Sequence, residues 1–117
     1  MHKLRELKVY QKSLGFTKSV RKITKTFPKQ ELFGLTSQFT RAADSIVLNI
    51  AEGSGNSSNK EFARFLDYAI RSGFECLGCA DIALDNAFIS QTDYKQLIDS
   101  ANEIIAMLDG LRKRFLR

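Results

Sequence analysis

The sequence predicts an all-α protein, an antiparallel up-down-up-down four-helix bundle. Two observations lead to this fold class: four segments in which apolar residues recur every three or four positions, and the short polar loops that separate them. The composition agrees, because the 117 residues include one proline and 44% hydrophobic residues, and few β-branched residues adjoin one another. A chain of this length fits one domain, residues 1–117.

The first predicted helix has a narrow apolar stripe, about 60° wide at 100° per residue. Pro28 ends this helix, because the residue before a proline avoids the α conformation. Residues 29–35 form a connector with room for one short helical turn. The stripe consists of Val9, Ser13, Phe16, Val20, Ile23 and Phe27.

The second predicted helix begins with Thr36 as its cap. Asn49 falls on its apolar face, and a buried amide must find hydrogen-bond partners. We therefore expect Asn49 to form a bridge to another helix. The apolar residues of this face are Leu35, Phe39, Ala42, Ala43, Ile46, Ile50 and Gly53.

Capping signals open the third and fourth helices. Residues 53–59 form a glycine- and serine-rich loop, and Ser58-x-x-Glu61 after it is typical of a capping box. Ser90 followed by Asp93 is a second signal of this kind. The expected buried residues of helix 3 are Phe62, Phe65, Leu66, Ala69, Gly73, Cys76, Leu77, Ala80, Ala83, Leu84 and Ala87. Those of helix 4 are Tyr94, Leu97, Ile98, Ala101, Ile104, Ile105, Leu108, Leu111 and Phe115.

Positive charge is concentrated at the two ends of the sequence. Residues 1–30 contain nine basic residues and one acidic residue, a net charge of +8, and residues 112–117 carry +4. The intervening residues 31–111 contain five basic and twelve acidic residues, a net charge of −7. Because helix 1 starts and helix 4 ends at the same end of such a bundle, we expect the two basic segments to form one patch.

The lysines of helix 1 and of the residues just after it share a face about 140° wide, opposite the apolar stripe, and Arg21 lies beside them. A solvated face is one interpretation. Contact with a polyanion is the other, because cations near a helix N-terminus oppose the dipole and a row of like charges repels itself. No aromatic side chain except Tyr10 lies near the lysines, so binding would depend on phosphates and shape. The predicted nucleic-acid-binding residues are Lys8, Lys12, Lys18, Arg21, Lys22, Lys25, Lys29, Arg112, Lys113, Arg114 and Arg117.

Catalytic and metal-binding residues are scarce. His2 is the only histidine and lies in a terminus expected to fray, so we expect no catalytic Ser-His or Cys-His pair and no enzyme activity. Cys76 and Cys79 lie inside an apolar helical pattern, whereas redox pairs start helices and a zinc site needs two more ligands. We expect both to be packing residues, with no metal or cofactor. No segment has the ~20 apolar residues of a membrane span, and we expect a cytoplasmic protein.

A second polar set lies on helices 2 and 3. Arg71 and Glu75 are four residues apart on the side of helix 3 that carries Arg64, which predicts a salt-bridge cluster, with a subunit contact as the alternative. The residues predicted for an oligomer contact or a structural polar network are Arg41, Asn49, Glu52, Arg64, Arg71 and Glu75. Four apolar residues that point away from their stripes modestly favour oligomerisation, namely Leu14, Leu48, Phe74 and Ile82.

Three motifs carry a family resemblance. They are Phe27-Pro28-x-x-Glu31-x-x-Gly34-Leu35-Thr36-x-Gln38, Arg41-Ala42-Ala43-x-Ser45-Ile46-x-x-Asn49-Ile50-Ala51-Glu52-Gly53-x-Gly55 and Phe62-x-x-Phe65-Leu66. With these motifs the chain resembles the 23S rRNA intervening-sequence proteins, which are four-helix bundles, over nearly its whole length. It departs from them at Asn56, where the family usually has arginine. It also has Arg71-Ser72-Gly73-Phe74-Glu75 where Gly-Ser-Leu-x-Glu is typical.

The resemblance implies a bacterial cytoplasmic protein that forms a homopentamer and has no established enzyme activity. The family is similar to the accessory variability determinant of diversity-generating retroelements, which binds nucleic acid and a reverse transcriptase through a basic surface. The implied partners are RNA or DNA with low sequence specificity, other copies of the chain, and a partner protein. Two functions stay open: nucleic-acid binding through helix 1 and the C-terminus, or a structural adaptor whose oligomer docks a partner protein such as a reverse transcriptase.

Overall fold

The computed structural model describes residues 2–117, which form a four-helix bundle, and the predicted fold class is confirmed. Each helix packs against the next along the chain, and α1 packs against α4 to close the bundle. The molecule is 43 Å long, about the length of the 27 residues of α3 at 1.5 Å per residue. The helices are α1 (Lys8–Thr24), α2 (Leu35–Ser54), α3 (Asn59–Asp85) and α4 (Gln91–Phe115), and 3₁₀ turns occupy Leu4–Glu6 and Lys29–Glu31.

The two ends of α1 differ from the prediction. The helix ends at Thr24 rather than at the proline, although Phe27 is still buried in the core. His2 also makes contacts that were not predicted. His2 donates its backbone N–H to the Ser54 carbonyl at 3.3 Å, and its ring lies against Phe62 and Phe115. His2, which the sequence placed in a terminus expected to fray, thus packs against aromatic residues of α3 and α4.

The start of α2 also corrects the prediction. The helix begins at Leu35, one residue before the expected cap Thr36, and Gly34 at the cap position has no side chain to contribute. Glu31, in the preceding 3₁₀ turn, accepts a hydrogen bond from the Leu35 N–H at 3.2 Å. A carboxylate from the connector therefore caps this helix, and its negative charge also suits the N-terminal end of the dipole.

The predicted caps of α3 and α4 are confirmed. The Ser58 hydroxyl accepts the Glu61 N–H at 3.2 Å, and the Ser90 hydroxyl accepts the Asp93 N–H at 3.1 Å. The Glu61 side chain binds Arg64 instead of the Ser58 backbone, so only half of the capping box forms. These caps satisfy N–H groups that the helices themselves leave without acceptors.

The C-terminal end of α3 shows a second difference. Ala87 was expected to be buried, but it is exposed and adopts the left-handed conformation, with φ 60°. The Phe88 N–H then reaches back to the Ala83 carbonyl at 2.8 Å, and the Ala87 N–H to the Leu84 carbonyl at 3.0 Å. This Schellman motif stops the helix, and it does so at an alanine although glycine is favoured there.

The core depends on the close approach of α2 and α4 to α3. A Cβ atom added at Gly53 would lie 2.6 Å from the Phe65 Cβ, and one added at Gly73 would lie 2.7 Å from the Ile105 Cγ1. Cys76 and Cys79 are buried as predicted. Burial raises the pKa of the Cys79 thiol to about 11 and raises the pKa of Cys76 as well. Both thiols therefore stay protonated and serve as small packing groups.

We predict that Gly53→Ala lowers the free energy of unfolding by about 1–2 kcal/mol, measured by urea unfolding. Overpacking costs about 1–3 kcal/mol, and the better helix propensity of alanine offsets up to about 1 kcal/mol of it. The cost should be felt because the Phe65 Cβ cannot move without its backbone. Gly78→Ala is the matched control, since a Cβ at Gly78 meets nothing within 4 Å, and it should stabilise the protein. Equal effects at the two sites would contradict the close approach.

Candidate nucleic-acid interface

Five lysines form an exposed row on and just beyond α1, opposite the buried stripe. Within residues 2–117, none of these five lysines takes part in a salt bridge. At 1.5 Å per residue, the part of the row inside α1, from Lys8 to Lys22, is about 21 Å long. The row therefore presents a line of positive charge that the fold itself does not neutralise. Its members, here called the lysine row, are Lys8, Lys18, Lys22, Lys25 and Lys29.

Two other predicted binding residues of α1 hold the helix to its neighbours. Both guanidinium Nη atoms of Arg21 donate to the carboxylate of Asp44 on α2, each at 2.7 Å. Lys12 forms an ion pair with Glu103 on α4, with 2.9 Å between Nζ and Oε1. These acidic partners come from other helices, so sequence spacing could not reveal them. Lys12 and Arg21 thus flank the lysine row, and acidic residues of the neighbouring helices neutralise their charges.

The ion pair between Arg21 and Asp44 shifts the pKa of both groups. Hydrogen bonding to Arg21 holds the pKa of the Asp44 carboxyl below its usual value, and Thr17 and the charge of Arg21 act in the same direction. The same hydrogen bond raises the pKa of Arg21. Both groups are therefore charged at neutral pH, and the bidentate geometry fixes the orientation of α1 against α2.

The C-terminal basic residues, here called the C-terminal cluster, are Arg112, Lys113, Arg114 and Arg117. Two members are compensated: Arg112 and Lys113 both pair with Asp109, at 2.7 and 2.9 Å. Arg112 and Lys113 follow Asp109 by three and four residues, so these ion pairs could have been predicted from the sequence. Contact between His2 and Phe115 brings the N-terminal segment to the end of α4. The two basic ends of the chain therefore meet at one end of the bundle.

The polar set on α2 and α3 is paired differently from the prediction. Arg71 binds Asp67 at 3.0 Å and forms no salt bridge with Glu75 in the described chain, so the predicted pairing was wrong. Arg64 binds Glu61 and the Tyr68 hydroxyl. The choice of Asp67 has a physical reason, since an acid four residues before a base is the better orientation on a helix.

Asn49 does not form the bridge expected of it. Its amide donates to the Ser45 carbonyl at 2.8 Å and to the Ser45 hydroxyl at 3.1 Å, within its own helix. The contact across to α3 is instead a hydrogen bond of 3.0 Å between the Ser72 and Ser45 hydroxyls. Ser45 therefore links the two helices, and Asn49 orients Ser45. The remaining predicted members, Arg41 and Glu52, are exposed on α2.

The exposed apolar residues include one that the sequence did not single out. Phe33, in the connector before α2, is 93% exposed. It was missed because it lies in a loop, outside the helical periodicity that was used to separate core from surface. The four predicted outward-facing residues are exposed as expected, namely Leu14, Leu48, Phe74 and Ile82.

Comparisons with known proteins agree with this architecture. A sequence model of the 23S rRNA-intervening sequence protein family matches residues 5–110. The chain belongs to this family. Its fold is similar to the crystal structure of a protein of unknown function from the S23 ribosomal protein family of Bacteroides thetaiotaomicron, with 24% identity and a TM-score of 0.80. That match covers 90% of this chain and 98% of the other. A comparison with curated proteins found no match.

Within residues 2–117, no group of three or more His, Cys, Asp and Glu side chains is arranged to hold a metal ion. In the same part of the chain, no helix has the length and apolar character needed to cross a membrane.

We predict that Asp44→Asn lowers the free energy of unfolding at pH 7 by about 0.5–1 kcal/mol, a modest value because the ion pair is partly exposed. The folded pKa of Asp44 is lowered. Its stabilising contribution is therefore present above the pKa of the unfolded chain and is lost as pH falls through the folded pKa. Urea unfolding at pH 7 and near pH 3 should show the difference from wild type shrinking in acid.

A matched control for this prediction is Asp99→Asn. That change removes an exposed ion pair with Lys95 inside α4 alone, so it should destabilise the protein less than the loss of a bidentate pair between two helices. A difference between wild type and Asp44→Asn that persists unchanged near pH 3 would contradict the assignment.

Proposed function

We propose that this protein is a non-enzymatic, cytoplasmic module that binds RNA or DNA, with the lysine row and the C-terminal cluster as its phosphate contacts. One observation carries the proposal: the fold compensates the basic residues at the edges of α1 but leaves the row between them uncompensated. A line of unpaired cations on a rigid helix is self-repulsive, and a polyanion that lies along it relieves this repulsion. Membership of a family named after an rRNA intervening sequence is consistent with an RNA ligand.

The chemistry of the row favours binding with low sequence specificity. A lysine ammonium is a point charge that contacts phosphate without reading base identity. Lys18, Lys22 and Lys25 are separated by four and three residues, so their Cα atoms advance by about 6 and about 4.5 Å along the helix. Each contact should release counterions, and affinity should therefore fall steeply with salt concentration.

We predict that Lys22→Glu combined with Lys25→Glu weakens binding to RNA roughly ten-fold or more. The same change should reduce the slope of log affinity against log salt concentration by about one unit per lysine. Fluorescence anisotropy with a labelled RNA, between 50 and 200 mM salt, would measure both values. The matched control is Arg71→Glu combined with Lys95→Glu. This double variant changes the net charge of the protein by the same amount, but on α3 and α4 instead of on the lysine row.

The control pair should retain most of the affinity, because its charges lie away from the row. Equal losses in the two double variants would mean that net charge alone governs binding. A wild-type affinity that does not change with salt concentration would refute the proposed phosphate contacts.

A second candidate function is a structural adaptor, and the exposed apolar residues on α2 and α3 favour it. Leu48 is 64% exposed, Phe74 is 59% exposed and Ile82 is 51% exposed. Exposed apolar surface of this kind often marks a site where a partner protein binds. From the resemblance to the accessory variability determinant, we infer a homopentamer that docks a partner protein such as a reverse transcriptase. In that case the basic face would match an acidic partner or solvent.

We predict that the wild-type protein sediments as a pentamer of the 13.2 kDa chain at micromolar concentration. Phe74→Ser should shift it toward the monomer, because a polar side chain there removes apolar area from a contact. Leu116→Ser is the control, because Leu116 is similarly exposed at 55% but is not among the residues predicted to favour oligomerisation, and it should leave the sedimentation unchanged. A wild-type monomer at micromolar concentration would contradict the inferred assembly. Recovery of one acidic protein in a pull-down that survives nuclease treatment would favour the adaptor over the nucleic-acid binder.

A further inference from the structure

A surface pocket of about 490 Å³ lies beside Phe33, between the start of α2 and the middle of α3. Its size falls in the range of small-molecule sites. Phe33, at its rim, is the most exposed large apolar side chain of the described residues, at 93%. Polar side chains make up much of the rest of the lining, among them Gln38, Arg41 and Glu75. The pocket therefore combines an open aromatic ring with hydrogen-bonding groups.

Basic residues line both this pocket and the pocket next to it along the connector. Lys25 and Lys29, the last members of the lysine row, line the adjoining pocket together with Leu32, the residue next to Phe33 in the chain. Arg41 lines the pocket of Phe33 itself. Proteins that bind single-stranded nucleic acid combine an exposed aromatic ring, which stacks on a base, with basic residues nearby that contact the phosphates.

The polar groups of the pocket have unused hydrogen-bonding capacity. Gln38 reaches Glu75 only through a long contact of 3.4 Å, so the amide and the carboxylate can both bind a further partner. Arg41 forms no side-chain hydrogen bond or salt bridge within residues 2–117, and its guanidinium has five N–H donors. An apolar partner would bury these groups without satisfying them, at a cost in affinity. A flat heteroaromatic ring with donors and acceptors on its edge would satisfy them.

We propose that this pocket binds one unpaired nucleobase, which stacks on Phe33 and directs its edge toward Gln38, Arg41 and Glu75. The inference rests on the proposed function, since the phosphates of the same strand would lie on the lysine row. It adds a preference for single-stranded or bulged nucleic acid over continuous duplex. It also adds a contact to a base, whereas the lysines alone recognise only phosphates.

The first experiment uses Phe33→Trp as a reporter. The chain has no tryptophan, so the substituted ring would be its only indole, and its exposed position should tolerate the change. Its fluorescence should be quenched by a single-stranded 12-nucleotide RNA. The same RNA with abasic residues keeps every phosphate and should bind more weakly without quenching. Equal affinity and equal fluorescence with the two RNAs would overturn the base contact.

The second experiment removes the ring. Phe33→Ala should weaken binding of the single-stranded RNA about ten-fold, because a single base–aromatic stack contributes about that much. The salt slope and the affinity for duplex RNA should not change. Phe33→Leu retains an apolar side chain without a flat ring and should lose as much. Leu32→Ala, the control at the neighbouring exposed position, should lose little.

The outcomes separate this inference from the proposed function. Salt-dependent binding that is unaffected by Phe33→Ala, or fully retained by Phe33→Leu, overturns the base pocket and leaves the phosphate contacts in place. A change in sedimentation caused by Phe33→Ala would assign the ring to a contact between copies of the chain, which also overturns the base pocket. Binding that is independent of salt would overturn both.

Discussion

The close approach of α2 and α4 to α3 is the constraint on which the rest of the structure depends. Glycines at the two contacts allow side chains of the facing helix to occupy the space of a Cβ atom, Phe65 opposite Gly53 and Ile105 opposite Gly73. Buried alanines and cysteines continue the same face of α3. At such separations dispersion contacts are dense, so α2, α3 and α4 form a tightly packed unit.

The first helix joins this unit in a different way. Its buried stripe of Val9, Phe16, Val20 and Ile23 supplies large side chains instead of small ones. Ion pairs at both edges then set its orientation, from Arg21 to α2 and from Lys12 to α4. The buried stripe, the ion pairs at the edges and the partly buried Tyr10 make the inward contacts of α1, whereas the lysines of its outer face are exposed. Lysines can occupy that face without loss of packing, and a rigid helix keeps them in line.

The basic residues likewise differ in whether an acidic residue neutralises them. Acidic residues on α2 and α4 neutralise the basic residues that they can reach, and Asp109 compensates the first two residues of the C-terminal cluster. The lysine row lies beyond the reach of these acids. The C-terminal end of the lysine row, at Lys25 and Lys29, lies next to the connector that carries Phe33 and lines its pocket. The phosphate surface and the proposed base pocket are thus neighbours because the connector folds back between α1 and α2.

Much of this protein could be predicted from sequence because its signals are local. Helical periodicity determined the four helices and the buried stripe, Ser58 and Ser90 determined two caps, and the motifs from Phe27 to Leu66 indicated the family. Only the tertiary structure decided which charges are compensated, because Asp44 and Glu103 reach α1 from other helices. It also decided the cap by Glu31, the link through Ser45 and Ser72, and the exposure of Phe33. The ion pairs to α1 and the link through Ser45 and Ser72 depend on distances across the bundle, whereas the Glu31 cap and the exposure of Phe33 depend on how the connector folds. Spacing along a single helix carries no information about either.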